Sequence, residues 1–113
     1  MFVSVCKTDA LAQGAAAKFD VGGQAIVLFH LTDGYFATQR RCPHMFAPLD
    51  RGSVVDGKVV CPLHKASFDI RTGAVKNWAC WPKGIQLLDF IRPSKDLKTF
   101  LVKVEGGQVW VDV

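Results

Sequence analysis

Two short stretches of the chain place a cysteine and a histidine almost side by side: "CPH" at Cys42 to His44 and "CPLH" at Cys61 to His64. Thiolate and imidazole donors are the natural ligands of a transition metal, so these four side chains read first as a metal-binding set. Each cysteine is followed at once by a proline, Pro43 or Pro62. Proline fixes φ and supplies no N–H, which stiffens each knuckle and leaves the neighbouring amides to point inward. Sixteen residues separate His44 from Cys61. A mononuclear Cys₂His₂ zinc site groups its cysteines at one close spacing and its histidines at another, whereas here each knuckle is mixed. Mixing suits two metals, with the cysteines of both knuckles on an inner ion and the histidines of both on an outer one. A structural zinc-binding module would use the same four residues and stands as the alternative of another class, but it leaves the mixing unexplained.

Such a set needs a rigid scaffold to present it, and the rest of the chain reads as short strands with glycine turns. "QAIVLFHL" and "YFATQ" flank Asp33-Gly34, "SVV" and "KVV" flank Asp56-Gly57, and "TFLVKVE" and "QVWVDV" flank Gly106-Gly107. Asp-Gly and Gly-Gly between apolar runs are strong hairpin signals, and three of them in one small chain predict an antiparallel β-sandwich or barrel. The last hairpin alternates, which sets Phe100, Val102 and Val104 on one face and Val109, Val111 and Val113 on another single face. The best helical candidate is a short turn at "TDALAQG", capped by Thr8 or Asp9 and stopped by Gly14. Both knuckles fall in loops, Cys42 and His44 after the "YFATQ" strand and Cys61 and His64 after "KVV".

The run "CPHMFAPLDRGSVVDGKVVCPLHKASFDIRTG", from Cys42 to Gly73, resembles the Rieske-type [2Fe-2S] ferredoxins. It meets the family's Cys-Pro-His, Ala-Pro-Leu, Gly-x-Val-x-x-Gly hairpin, Cys-Pro-x-His and Phe-Asp-x-x-x-Gly pattern, and the flanking strands fit more loosely over most of the chain. The resemblance implies an all-β, Rieske-like antiparallel β-sandwich with a small cluster-binding subdomain inserted as two loops. It implies a single domain over residues 1–113, with the cluster-binding part at about 41–82. It further implies one Rieske-type [2Fe-2S] cluster per chain, with Cys42 and Cys61 on the buried iron and His44 and His64 on the outer, solvent-facing iron.

The family often has glycine where this chain has Phe46 and Lys65; neither is a ligand position, so local loop geometry and surface shape are what those departures touch. High-potential respiratory members carry an extra cysteine in each loop, at positions that correspond here to Ala47 and Leu63, so their disulfide cannot form. Their serine two residues after the second histidine corresponds to Ala66. Losing its hydrogen bond to a cluster sulfide lowers the potential. With neutral imidazoles the oxidised cluster has no net charge and one electron takes it to −1, whereas an all-cysteine cluster goes from −2 to −3. Histidine ligation therefore puts such centres at roughly −150 to +300 mV, against about −400 mV for plant-type clusters, and this chain is expected in the lower part of that range.

By resemblance the chain is not itself an enzyme but a one-electron carrier, passing electrons from a flavin-dependent NAD(P)H reductase to a terminal ring-hydroxylating oxygenase. The small Rieske subunit of an NAD(P)H nitrite reductase is the alternative within the family. The residues agree, because there is no nucleotide-binding glycine loop, no mononuclear-iron facial triad and no acid/base or nucleophile constellation in the sequence.

Composition bounds these readings. At 113 residues the chain suffices for one cored domain, and too little for a cofactor domain plus a substrate domain. The N-terminus lacks the features of a secretory signal, and no run of about eighteen apolar residues occurs, so a soluble cytoplasmic protein with no membrane partner is expected. A reducing compartment favours metal ligation over two disulfides for the four cysteines. Net charge is +4, with no basic run of the kind that binds nucleic acid. Between Arg40 and Lys83 eight basic residues face three acidic ones, so the excess charge sits with the knuckles. That distribution predicts transient partners that dock through acidic surfaces over His44 and His64, and a monomeric carrier. For the rest, His30 reads as a core or edge histidine, Cys6 and Cys80 as small apolar residues, and Phe68 as packing beneath the second knuckle. Trp110 reads as core. Trp78 and Trp81, before Pro82, either shield the cluster or contact a partner, or else pack in the core.

Overall fold

A computed structural model describes residues 1–41, 48–61, 66–77 and 96–113. Among them the regular structure is β-strand plus two single 3₁₀ turns, and the strand pairing is antiparallel throughout. The strands are β1 (Phe2–Lys7), β2 (Ala16–Val21), β3 (Gln24–Leu31), β4 (Gly34–Gln39), β5 (Ser53–Val55), β6 (Lys58–Val60), β7 (Ser67–Asp69), β8 (Val75–Asn77), β9 (Thr99–Phe100), β10 (Val102–Glu105) and β11 (Gln108–Asp112). They form three sheets, in the orders β1-β11-β10, β2-β3-β4-β9 and β5-β6-β7-β8.

The apolar run of β3 explains how three sheets share one body. Successive side chains of a strand point to opposite faces. Ile26 and Leu28 enter a core with Val109 and Val111 of β11, while Val27, Phe29 and Leu31 enter a second core with Val59, Phe68 and Ile70. The four residues from Ile26 to Phe29 are fully buried, so β3 belongs to a middle layer covered on both faces. A strand buried on both sides reads as continuous rather than alternating hydrophobicity, as this one does.

Turn chemistry sets the registers. Asp56 and Gly57 both have positive φ, 51° and 75°, and link Val55 to Lys58 in the tight hairpin that needs that geometry. Gly106 and Gly107 do the same between Glu105 and Gln108. A fourth such hairpin, at Gly22 and Gly23 between β2 and β3, carries the same Gly-Gly signal. In the β3–β4 connection the pairing of Leu31 with Gly34 makes Thr32 and Asp33 the turn, one residue earlier than Asp33-Gly34.

The C-terminal strand differs from expectation. "TFLVKVE" is not one strand: Phe100 pairs with Ala37 in the middle sheet, whereas Val102 pairs with Val111 in the other. The chain changes sheets at Leu101, which is 70% exposed, as strands do at the corner of a sandwich. Val109 and Val111 are fully buried, while Val104 on the edge strand β10 is 53% exposed. Trp110 is not core; it lies half-buried on the outer face beside Lys103, and its indole N–H donates to the Glu105 carbonyl at 3.1 Å. The "TDALAQG" turn is a 3₁₀ turn at Thr8–Ala10 with no side-chain cap, followed by Gly14 at φ 89°.

Candidate metal centre

The described residues that flank the two expected ligand segments are joined at their bases by backbone hydrogen bonds. At the end of β4 the chain reaches Arg41, which forms a β-bridge with Pro48, and the Leu49 N–H donates to the Arg40 carbonyl at 2.7 Å. At the end of β6 the Cys61 N–H donates to the Ala66 carbonyl at 2.6 Å. The residues on either side of 42–47, and those on either side of 62–65, are thus pinned to one another. Cys42, His44 and His64 lie outside the described residues, as do Phe46, Ala47, Leu63, Lys65, Trp78, Cys80, Trp81 and Pro82.

Cys61 is the predicted ligand that the structure describes. It is fully buried in the core that holds Leu49, Val59, Ala66 and Phe68. Leu49 belongs to the base of the first loop and Ala66 to the base of the second, so a single apolar core underlies both. A sulfur donor anchored in such a core fits the inner, water-excluded side of a metal centre better than a surface site. Ala66 is itself fully buried and offers no hydroxyl. Phe68 is fully buried in the same core as Cys61 and Ala66, the two residues that close the base of the second loop.

The "FDIRTG" segment is structural. The Asp69 carboxylate accepts the N–H groups of Arg71 at 2.8 Å and Thr72 at 3.2 Å, and its carbonyl accepts the Gly73 N–H at 2.7 Å. Gly73 has φ 81°, and a Cβ there would collide with the Leu97 carbonyl. The return segment is stitched on at that point, with the Leu97 N–H on the Gly73 carbonyl at 2.7 Å and the Val75 N–H on the Asp96 carboxylate at 3.0 Å.

Charged side chains brace the same region. Arg40 reaches Asp50 at 3.2 Å in a half-buried pair across the base of the first loop. Arg71 makes a two-pronged contact with Asp33, at 2.9 and 2.7 Å, and lies over the Phe36 ring, joining the β7–β8 turn to the β3–β4 turn. The hydrogen bonds from Arg71 hold the Asp33 carboxyl below its ordinary range. Away from the loops, His30 stacks on Tyr35 with ring centres 4.1 Å apart and its Nδ1 lies 2.8 Å from the Leu11 carbonyl, which makes Nδ1 the donor. Cys6 packs against the other core, and burial pushes its thiol up. Sequence reasoning passed over Gln39, Arg40 and Asp96, whose partners are backbone groups or charges distant along the chain.

Residues 1–104 match the model of the Rieske [2Fe-2S] domain. The chain is 36% identical over 110 residues to the ferredoxin component of biphenyl 2,3-dioxygenase from Rhodococcus jostii (strain RHA1), covering 96% of this chain and 90% of that one. Among solved structures it resembles the ferredoxin of carbazole 1,9a-dioxygenase from Nocardioides aromaticivorans IC177, with a TM-score of 0.82 and 28% identity over 98% of this chain and 96% of that one. A chain from the complex of reduced oxygenase and oxidized ferredoxin in carbazole 1,9a-dioxygenase shares the fold at a TM-score of 0.79 and 24% identity, over 97% and 91%. The biphenyl and Nocardioides relatives are ferredoxin components, the electron-transfer subunits of dioxygenase systems. With a near full-length family match and a relative above 30% identity over almost the whole of both chains, this chain belongs to the Rieske [2Fe-2S] domain family, as a ferredoxin-type one-electron carrier whose cofactor is a Rieske-type [2Fe-2S] cluster.

Proposed function

We propose that Cys42 and Cys61 hold the inner iron and His44 and His64 the outer one, and that the carrier serves a flavin-dependent reductase and a terminal ring-hydroxylating oxygenase. The observation that carries the ligand assignment is the burial of Cys61 at the mouth of a pinned loop, over a core shared with the base of the first. The cluster, when bound, accepts and gives up one electron at a time. The protein's part is to pin the bases of the loops and to keep the Cys61 sulfur away from water. The reading treats residues 1–113 as one domain with its cluster-binding part at about 41–82, acting as a monomer in the cytoplasm. Among the described residues no helix is long and apolar enough to cross a membrane.

The identity with a dioxygenase ferredoxin component favours oxygenase service over a nitrite reductase. Partner choice is testable by reconstitution. Electron flow from a flavin-dependent reductase through this protein to a ring-hydroxylating oxygenase is expected; flow only to a nitrite reductase would overturn that part. Arg41 and Arg51 are exposed beside the base of the first loop, which fits docking against acidic partner surfaces. Transfer rates should then fall steeply with ionic strength, and rates indifferent to salt would remove the acidic-docking element.

A further inference from the structure

We propose that Gln39 is a positioning residue for the cluster, bracing the peptide that leads into the first ligand loop against a segment that packs in the core holding Cys61. Gln39 is the last residue of β4. Its Nε2 donates to the Arg41 carbonyl at 2.6 Å, and its Oε1 accepts the Lys98 backbone N–H at 2.8 Å. Its own backbone N–H donates to the Lys98 carbonyl, also at 2.8 Å. One residue therefore ties Arg41 to Lys98 through three hydrogen bonds.

Each arm leads toward a ligand loop. The Arg41 carbonyl is half of the planar peptide whose N–H belongs to Cys42, so a bond that fixes the carbonyl fixes the plane in which the chain enters the loop. Lys98 continues the segment that is stitched to Gly73 and Val75, and Leu97 beside it is buried in the same core as Cys61. The Gln39 amide thus couples the entry of the first loop to the core that holds Cys61. An amide is required, since it offers a donor to one partner and an acceptor to the other. A carboxylate of similar reach accepts from Lys98 but sets a negative charge against the Arg41 carbonyl, and a thioether of similar length serves neither.

The inference rests on the ligand assignment above, and the test separates the two. Full-length, cluster-loaded wild type, Gln39→Glu and Gln39→Met would be compared for iron and sulfide content, EPR g values of the reduced form, midpoint potential, rate of iron loss to a chelator and thermal unfolding. Gln39→Glu keeps the backbone bond and the acceptor toward Lys98, so its fold should persist while the arm to Arg41 is lost. Changed g values, a shifted midpoint and roughly tenfold faster iron loss are expected for Gln39→Glu, and at least as much for Gln39→Met, in line with the effect of other outer hydrogen bonds around metal sites. Variants that unfold at lower temperature yet match wild type in g values, midpoint and iron loss would overturn the inference alone. Wild type without two irons and two sulfides would overturn the ligand assignment, and this inference with it.

Discussion

Gly73 and Ala66 show how single residues shape the site without binding metal. At Gly73 the backbone is left-handed and a side chain would strike the Leu97 carbonyl. Gly73→Ala should therefore cost about 1–3 kcal/mol from the strained φ alone, with the collision adding to it. Urea unfolding checks this, and an unchanged midpoint would show that the β7–β8 turn tolerates a side chain. Ala66 stands where high-potential relatives in the family offer a hydroxyl, and it is buried beside Cys61. Ala66→Ser should raise the midpoint potential, because an added donor to a cluster sulfide stabilises the reduced, more negative state. Voltammetry reads the change, and a fall would contradict it. These two positions were legible in the sequence because their motif is local. Gln39 was not, since its Lys98 partner lies 59 residues away and is a backbone amide that any residue type would supply.

At the scale of elements, the hairpins were legible because Asp-Gly and Gly-Gly encode their own geometry. The Gly22-Gly23 turn carried the same signal and was passed over, and β1 with its alternating "FVSVCK" went unmarked as well. The division of "TFLVKVE" between two sheets was illegible for a physical reason: its alternation is the same whether or not the chain crosses a corner at Leu101. Phe68→Ala should cost about 3–5 kcal/mol, since the ring is fully buried in the core that includes residues at the bases of both loops. A loss below 1 kcal/mol in denaturant titration would mean that this core does not support them. The Arg71–Asp33 contact adds a pH dependence to the joint between the β7–β8 and β3–β4 turns. The folded carboxyl titrates below its unfolded value, so its contribution is present above about pH 4 and is lost as pH falls through the folded value. Asp33→Asn should flatten that acid limb of the stability curve; an identical limb would assign acid sensitivity to other carboxylates. Both partners are exposed, so the effect is expected to be small.

Across the whole molecule, β3 belongs to the middle one of three sheets, and its two faces pack against residues of the other two, which gives a chain of 113 residues two cores. The fold class followed from strand and turn chemistry, while the three-layer arrangement depended on which face of β3 met which sheet. The basic excess between Arg40 and Lys83 lies in the stretch of sequence that carries all four expected ligands. Histidine ligation with no disulfide and no serine donor places the expected midpoint in the lower part of the Rieske range of roughly −150 to +300 mV, below zero. A positive midpoint would contradict the argument from missing hydrogen bonds. The central claim, that two mixed Cys/His loops hold a two-iron cluster, is tested most directly by iron and acid-labile sulfide analysis of anaerobically purified protein, together with the EPR spectrum of its reduced form. Two irons, two sulfides and a rhombic signal of low average g are expected, whereas colourless protein holding a single zinc would contradict it.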